Sequence, residues 1–199
     1  MAVKSNLTNM VLVLGLTCLF CSAVLGGAYV LTKEPIAKAA AEKQNRAIAQ
    51  VLPHFTDLEY NADMHYYKAT DGDNLVGYAI ESSTVGFGGT LTLMVGVTPD
   101  GVVYNSSVLS HSETPGLGAK CTTDNGFIDQ WRGFNPAVKK LIITNDGTGV
   151  DAITASTITS RAYTQAVANA LDTFSVIQSN HSVILSESEE SNEGGQDNE

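Results

Sequence analysis

From Ser5 to Thr32 the chain carries no charged side chain, and no other feature restricts its architecture so strongly. The heart of the run, Met10 to Leu31, supplies about 20 apolar positions, which at a rise of 1.5 Å per residue cross a hydrocarbon core about 30 Å thick. A cleaved secretory signal would have a shorter apolar core, roughly 7–15 residues, ending in a small-x-small site. The length favours a retained transmembrane helix over residues 10–31, preceded by a short N-terminal segment, 1–9. Cys21, after Leu19 and Phe20, does not complete a lipidation signal. Lys4 precedes the span, whereas Lys33, Lys38, Lys43 and Arg46 come after it. The positive-inside rule would keep the large C-terminal part in the cytoplasm, but long domains translocate largely regardless of loop charge. Charge alone leaves the orientation open.

Residues 32–53 read as a helical stalk. Ile36, Ala39, Ala40, Ala47, Ile48, Val51 and Leu52 recur on one side, with charged and amide residues between them, and Pro53 ends the pattern. One domain is expected over 54–185. After Ser186 the composition turns to Ser, Glu, Asn and Gly, so residues 186–199 are expected to be a disordered acidic tail. That tail holds six of the acidic residues and no base. Of the net charge of −10, only −4 therefore remains on the rest of the chain. A nucleic-acid partner needs a basic face, and this mildly acidic remainder argues against one. Three scattered cysteines and four scattered histidines give neither a disulfide framework nor a zinc-ligand spacing, so no metal site is indicated.

Within the domain, residues 57–110 predict antiparallel strands. Leu75–Ile80 comes after the turn Asp71-Gly72-Asp73-Asn74. Leu91, Leu93, Val95 and Val97 then alternate with Thr92, Met94, Gly96 and Thr98 at period two. Thr98-Pro99-Asp100-Gly101 supplies turn chemistry before Val102–Leu109 returns. Gly86-Phe87-Gly88-Gly89 is read either as a site of close backbone approach or as a flexible loop. Asp124 is a candidate cap for a short predicted helix that runs to Trp131, with Trp131 read as a core or rim aromatic rather than a ligand-stacking residue. Val138–Thr144 suggests a further strand and Asn145-Asp146-Gly147 a turn.

Asp151–Ser160 is rich in hydroxyls and small side chains, and it leads at once into a helical pattern: Ala162, Ala166, Ala170 and Phe174, with Tyr163, Val167 and Leu171 beside them. Small hydroxylated residues opening a helix leave backbone N–H groups free for an anion, which the helix dipole favours. An ordinary N-cap by Asp151 or Thr154 is the competing reading. The second informative stretch is His111-Ser112-Glu113-Thr114-Pro115-Gly116-Leu117-Gly118. Its Pro-Gly pair and following glycine demand a tight turn.

Asp151-x-x-Thr154-Ala155-Ser156-Thr157 resembles the flavinylation motif Asp-x-x-(Ser/Thr)-Gly-Ala-Thr, with Ala155 at the motif's glycine and Ser156 at its alanine. The string His-x-Glu-Thr-Pro-Gly-Leu-Gly resembles a stretch of the G subunit of the Rnf electron-transport complex and of its relative, the C subunit of the sodium-pumping NADH:quinone reductase. The similarity runs from the anchor through Gly77-Tyr78, Gly86–Gly89, Met94-Val95-Gly96 and the Thr114–Gly118 turn to Thr157–Ser160. The compact length favours the Rnf subunit.

The resemblance implies an α+β fold: one N-terminal transmembrane helix followed by a single FMN-binding domain, an antiparallel sheet with flanking helices. It implies FMN bound covalently through a phosphoester at Thr157, installed by a flavin transferase. Glu113, Thr114, Leu117 and Gly118 would lie near the ring and Thr154 and Ser156 near the phosphate, with Asp151, Ala155, Thr159 and Ser160 also expected to bind the cofactor. No residue is assigned catalysis and none a metal. The chain would be an electron-carrier subunit of an Rnf-type complex, an ion-translocating oxidoreductase moving electrons between ferredoxin and NAD, coupled to Na+ or H+ movement. It would have no substrate turnover of its own. Single-pass insertion in the cytoplasmic (inner) membrane with the flavin domain on the extracytoplasmic, periplasmic side is also implied. Two rivals remain: a membrane-anchored binding or assembly module without cofactor, and a hydrolase using Ser156 with His111 and an Asp, which lacks the Gly-x-Ser-x-Gly elbow.

Overall fold

The computed structural model describes the backbone of residues 7–144 and 148–193, and side chains as far as residue 180. The chain separates into two compact units, Met1–Lys43 and Gln44–Glu199. The first is drawn from one long helix, α1, Leu7–Val51, which is long and apolar enough to cross a membrane by length and composition. Its most apolar window has a mean hydropathy of 2.2 and buries none of its surface against protein. Pro35 lies inside the helix, where it removes one backbone donor.

In the second unit five strands form an antiparallel meander in the order β1-β2-β3-β4-β5. Their ranges are Asp57–Asn61, Tyr66–Asp71, Asn74–Val85, Thr90–Val97 and Val103–Ser110. Gly72 and Gly101 supply the left-handed residues of two connecting turns, with φ of +59° and +78°. The period-two pattern of β4 sorts its side chains between two buried faces. Leu91, Leu93, Val95 and Val97 join Tyr78, Ile80 and Val103 in one core, and Met94 joins Ala69 and Ala79 in another.

The last helix, α3 (Thr157–Glu193), covers the first face. It does so with Tyr163, Ala166, Val167, Ala170 and Phe174, as its four-residue spacing predicts. Alanines on that stripe let the helix lie close to the sheet. The second face is covered by the end of α1 and the residue after it: Ala47, Ile48, Val51 and Leu52 are all buried. The segment expected as a stalk, 32–53, therefore contributes its end to the domain core. A Cβ at Gly96 would run into the Val51 carbonyl, and one at Gly77 would come within 2.6 Å of the Val97 carbonyl oxygen. The glycine at 96 lets helix and sheet backbones touch, and the one at 77 lets β3 lie close to the Val97 carbonyl of β4.

After β5 come a 3₁₀ turn, Gly118–Thr122, the short helix α2, Asn125–Ile128, and a second 3₁₀ turn, Asp129–Trp131. Asp124 caps α2 by accepting from Gly126 N–H at 3.0 Å. Trp131 is fully buried and stacks on Tyr163 with ring centroids 5.4 Å apart, so it belongs to the core.

Three expectations are revised. β3 runs on to Val85, because its pairing with β4 extends from Tyr78↔Val97 to Val85↔Thr90. Val138–Thr144 is not a strand. Leu141 and Ile143 pack onto the core, but the backbone bonds locally, Val150 N–H to Ile142 O and Thr144 N–H to Val150 O, with a single bridge between Ile143 and Val150. The turn expected at 145–147 lies outside the described residues. At the far end, α3 continues through Glu193, where disorder was expected from 186. Extending an existing helix costs far less than nucleating one, and glutamate is a good helix former. Residues 194–199 of the expected tail lie outside the described residues.

Candidate functional site

Three loops converge at the N-terminus of α3. The first precedes the helix. Ser156 N–H donates to Ile153 O at 3.0 Å, Ile153 N–H donates to the Ser160 hydroxyl at 2.9 Å, and that hydroxyl donates back to Ser156 O at 3.0 Å. This closed ring of bonds fixes the entry into the helix. Ala155 occupies the left-handed region there, with φ +62°. Such a conformation costs an L-residue roughly 1–2 kcal/mol, and here it makes Thr157 the first helical residue.

The second loop is the turn after β5. Leu117 and Ala119 N–H groups both donate to Thr114 O, at 3.2 and 3.1 Å, and Gly116 takes φ +77°. Glu113 N–H donates to Nδ1 of His111 at 3.2 Å, which turns the Glu113 side chain inward, where the residue is only 5% exposed. The third loop is Gly86–Gly89, closed by Gly86 N–H to Gly89 O at 2.8 Å. All three meet on the Glu113 carboxylate. Oε2 accepts from the Thr159 hydroxyl at 2.8 Å, and Oε1 accepts from Gly88 N–H at 3.4 Å.

Between them lies a cleft of about 340 Å³, bounded by Phe87, Glu113, Thr114, Leu117, Gly118 and Ala155–Thr159. Its size falls in the roughly 300–1,000 Å³ range of small-molecule sites. Phe87, Leu117 and Ile158 stand on its rim with 68%, 44% and 53% of their surface exposed. Apolar side chains left open to solvent around a cleft are suited to the face of a flat aromatic ligand. At the other end, the first N–H groups of α3 have no intrahelical acceptor and suit an anion. Thr157 is exposed at that point, whereas Ser156 is 8% exposed. Of the two neighbouring hydroxyls, Thr157 is the one an outside enzyme can reach.

Of the residues expected around a cofactor, the cleft gathers Glu113, Thr114, Leu117, Gly118, Ala155, Ser156, Thr157 and Thr159. Asp151, Thr154 and Ser160 are not on its wall. The Asp151 backbone is held by Gln130, with N–H to Oε1 at 2.8 Å, Thr154 is exposed in the turn, and the Ser160 hydroxyl is fully committed to the ring of bonds that closes the helix entry. Phe87 and Ile158 were not picked out by the sequence as site residues. The glycines flanking Phe87 were the available signal, since they mark a loop that approaches other backbone.

Within the 3₁₀ turn Cys121 is buried, and burial together with the nearby Glu113 charge pushes its thiol up to about 11. Tyr163 is raised further by burial, although its hydroxyl shares a hydrogen bond of 2.9 Å with Ser106. A second, larger concavity of about 460 Å³ lies beside these groups, lined by Gln50, Asn105, Ser107, Thr122 and Arg132. No helix of eight or more residues opens onto it, whereas the first cleft sits at the N-terminus of α3, so the chemistry points to the first cleft.

The sequence is similar to known proteins over most of its length. Residues 86–172 match the FMN-binding domain family, and residues 1–51 match the RnfG N-terminal region. The chain is 31% identical over 174 residues to the G subunit of the proton-translocating ferredoxin:NAD(+) oxidoreductase complex of Clostridium ljungdahlii, covering 86% of this chain and 89% of that protein. It is 31% identical over 187 residues to the G subunit of the ion-translocating oxidoreductase complex of Methanosarcina acetivorans, covering 86% and 96%. Among solved structures, NqrC of Shewanella oneidensis is similar at 22% identity and a TM-score of 0.43, covering 60% of this chain and 65% of that one.

Proposed function

This chain belongs to the family of G subunits of Rnf-type ion-translocating oxidoreductase complexes, and from that premise we propose that it is a covalent-FMN electron carrier held at the membrane by α1. The attachment point is the Thr157 hydroxyl. The observation that carries the reading is the position of this exposed hydroxyl, on the first residue of α3 at the edge of a cleft with an apolar rim.

The residues fit the group. Ala155 and Ser156 are small enough to admit a phosphate beside the helix, and a phosphodiester at Thr157 would keep one negative charge at the positive end of the helix dipole, worth about 0.3–1 kcal/mol in an exposed setting. In maturation the Thr157 oxygen bonds to the phosphorus of the FMN half of FAD. The bond from that phosphorus to the AMP oxygen breaks, AMP leaves, and the hydroxyl proton passes to a base of the flavin transferase. Phe87, Leu117 and Ile158 then offer apolar surface to the ring, and Glu113 and Thr159 close the inner wall. The flavin supplies one- and two-electron redox chemistry, while the protein supplies attachment, orientation and electrostatics.

One relative's name joins ferredoxin, NAD(+) and proton translocation and the others' an unspecified ion, which supports a wider setting in which the subunit passes electrons between ferredoxin and NAD while the complex moves Na+ or H+. We place the domain on the extracytoplasmic face of the cytoplasmic membrane, where a covalent link keeps the cofactor from being lost. The test is peptide mass mapping of the full chain co-expressed with a flavin transferase, together with in-gel fluorescence after denaturation. A flavin-modified peptide containing Thr157 is expected, and Thr157→Ala should abolish the signal. Native complex yielding this polypeptide colourless, with Thr157 unmodified, would overturn the reading.

A further inference from the structure

The Glu113 carboxylate is costly to keep where it is. Removing an ionised carboxylate from water carries a penalty of several kcal/mol unless a cation or several strong donors compensate. Glu113 is 5% exposed, and its carboxylate accepts from one neutral hydroxyl and, at longer range, from one backbone amide. Among the described residues no lysine or arginine forms an ion pair with it.

The chain nevertheless makes room for this group. A Cβ at Gly86 would collide with Oε1, and one at Gly118 would lie 2.5 Å from Oε2 and 2.7 Å from the Thr159 hydroxyl. Two glycines from separate loops are thus shaped around one carboxylate. The charge reaches its surroundings, since it contributes to raising the Cys121 thiol. It also forms part of the wall of the cleft that holds Thr157.

We propose that Glu113 is a positioning and tuning residue whose buried negative charge, without a cationic partner, lowers the reduction potential of the flavin carried in this cleft. The inference rests on the proposed function as a flavin carrier. An electron added to a ring beside a fixed negative charge is opposed by it, and the opposition is stronger in a poorly solvated wall than in water. Thr159 holds the carboxylate against the cleft, and the glycines prevent it from being displaced outward.

The test uses the full-length chain, loaded by a flavin transferase and purified in detergent. Covalent flavin is first measured by in-gel fluorescence, and the midpoint potential is then taken by dithionite titration with mediators. Glu113→Gln keeps the shape and removes the charge. It should shift the ratio of reduced to oxidised flavin at fixed potential about tenfold toward reduced, which is about 59 mV for a one-electron couple. Glu113→Asp keeps the charge but shortens the reach to Thr159, so a purely structural role would disturb it at least as much. The proposal requires it to shift less than the Gln variant. An unchanged or lowered potential in Glu113→Gln overturns the inference. So does an equal shift in Glu113→Asp, or failure of either variant to load flavin that the unaltered chain accepts. Absence of flavin from the unaltered chain is a different result, seen at the fluorescence step, and overturns the carrier function itself.

Discussion

Ala155 shows how a single residue can carry the record of a motif and depart from it. The flavinylation motif has glycine at this position, and the left-handed φ of +62° gives the reason. Relief of about 1–2 kcal/mol of backbone strain exceeds the roughly 0.4–1 kcal/mol that glycine's extra freedom costs through the unfolded chain. Ala155→Gly should therefore raise stability by about 0.5–1 kcal/mol, read as a higher urea midpoint in detergent, with flavin attachment retained.

Cys121 makes a prediction of opposite character. Its thiol titrates near 9 in an unfolded chain and at about 11 in the fold. Below pH 9 both states hold the proton. Between 9 and 11 only the unfolded chain releases it, so stability falls with rising pH by up to about 1.4 kcal/mol per unit. Tyr163, also raised, adds a loss in the same direction above pH 10. Cys121→Ala should flatten the pH dependence of the melting temperature between 9 and 11, whatever its effect at neutral pH.

Among the elements, β4 and α3 were the most legible, because each advertises its buried face through a clean period. β4 alternates apolar side chains, and α3 repeats alanine every fourth residue. Val138–Thr144 misled for the corresponding reason. Its apolar residues do pack on the core, but propensity says nothing about whether a free sheet edge is within reach. The start of β5 is already bridged by Phe134 at Val103, and the segment satisfies its backbone locally instead.

The junction between the end of α1 and the sheet yields a prediction at this scale. A methyl group at Gly96 would overlap the Val51 carbonyl, and neither backbone can move without breaking its own hydrogen bonds. Gly96→Ala should destabilise the domain by about 1–3 kcal/mol or more, seen as a lower melting temperature. The cleft, built from other loops, should keep its attachment chemistry at low temperature.

At the scale of the molecule, the apolar helix and the domain core share one continuous element. Ala47, Ile48 and Val51 belong to the core although they lie at the end of a helix that begins at Leu7, and Leu52, the next residue, joins them. Fully burying each large aliphatic side chain contributes about 1.5–3 kcal/mol. A chain shortened to begin at Lys33 should remain folded and stay in solution without detergent. One shortened to begin at His54 should lose most of its stability, as judged by circular dichroism and proteolysis, because Ala69, Ala79 and Met94 on the second sheet face would lose their helical cover.

What the sequence by itself determined was everything encoded by neighbours along the chain. The uncharged run specified the anchor, period two the central strands, period four the face of the last helix, and the two short motifs the loops that would hold a cofactor. Only the tertiary structure decided how those loops meet. Glu113 and Thr159 stand 46 positions apart and are joined by one 2.8 Å hydrogen bond. Phe87 comes to the same cleft from the turn between β3 and β4, whereas Asp151, Thr154 and Ser160 stay off its wall. A side chain's position in a repeat reveals which face it occupies. Whether that face ends in solvent, in a core or against a distant carboxylate depends on which backbones can approach each other, and that is settled by packing over the whole domain.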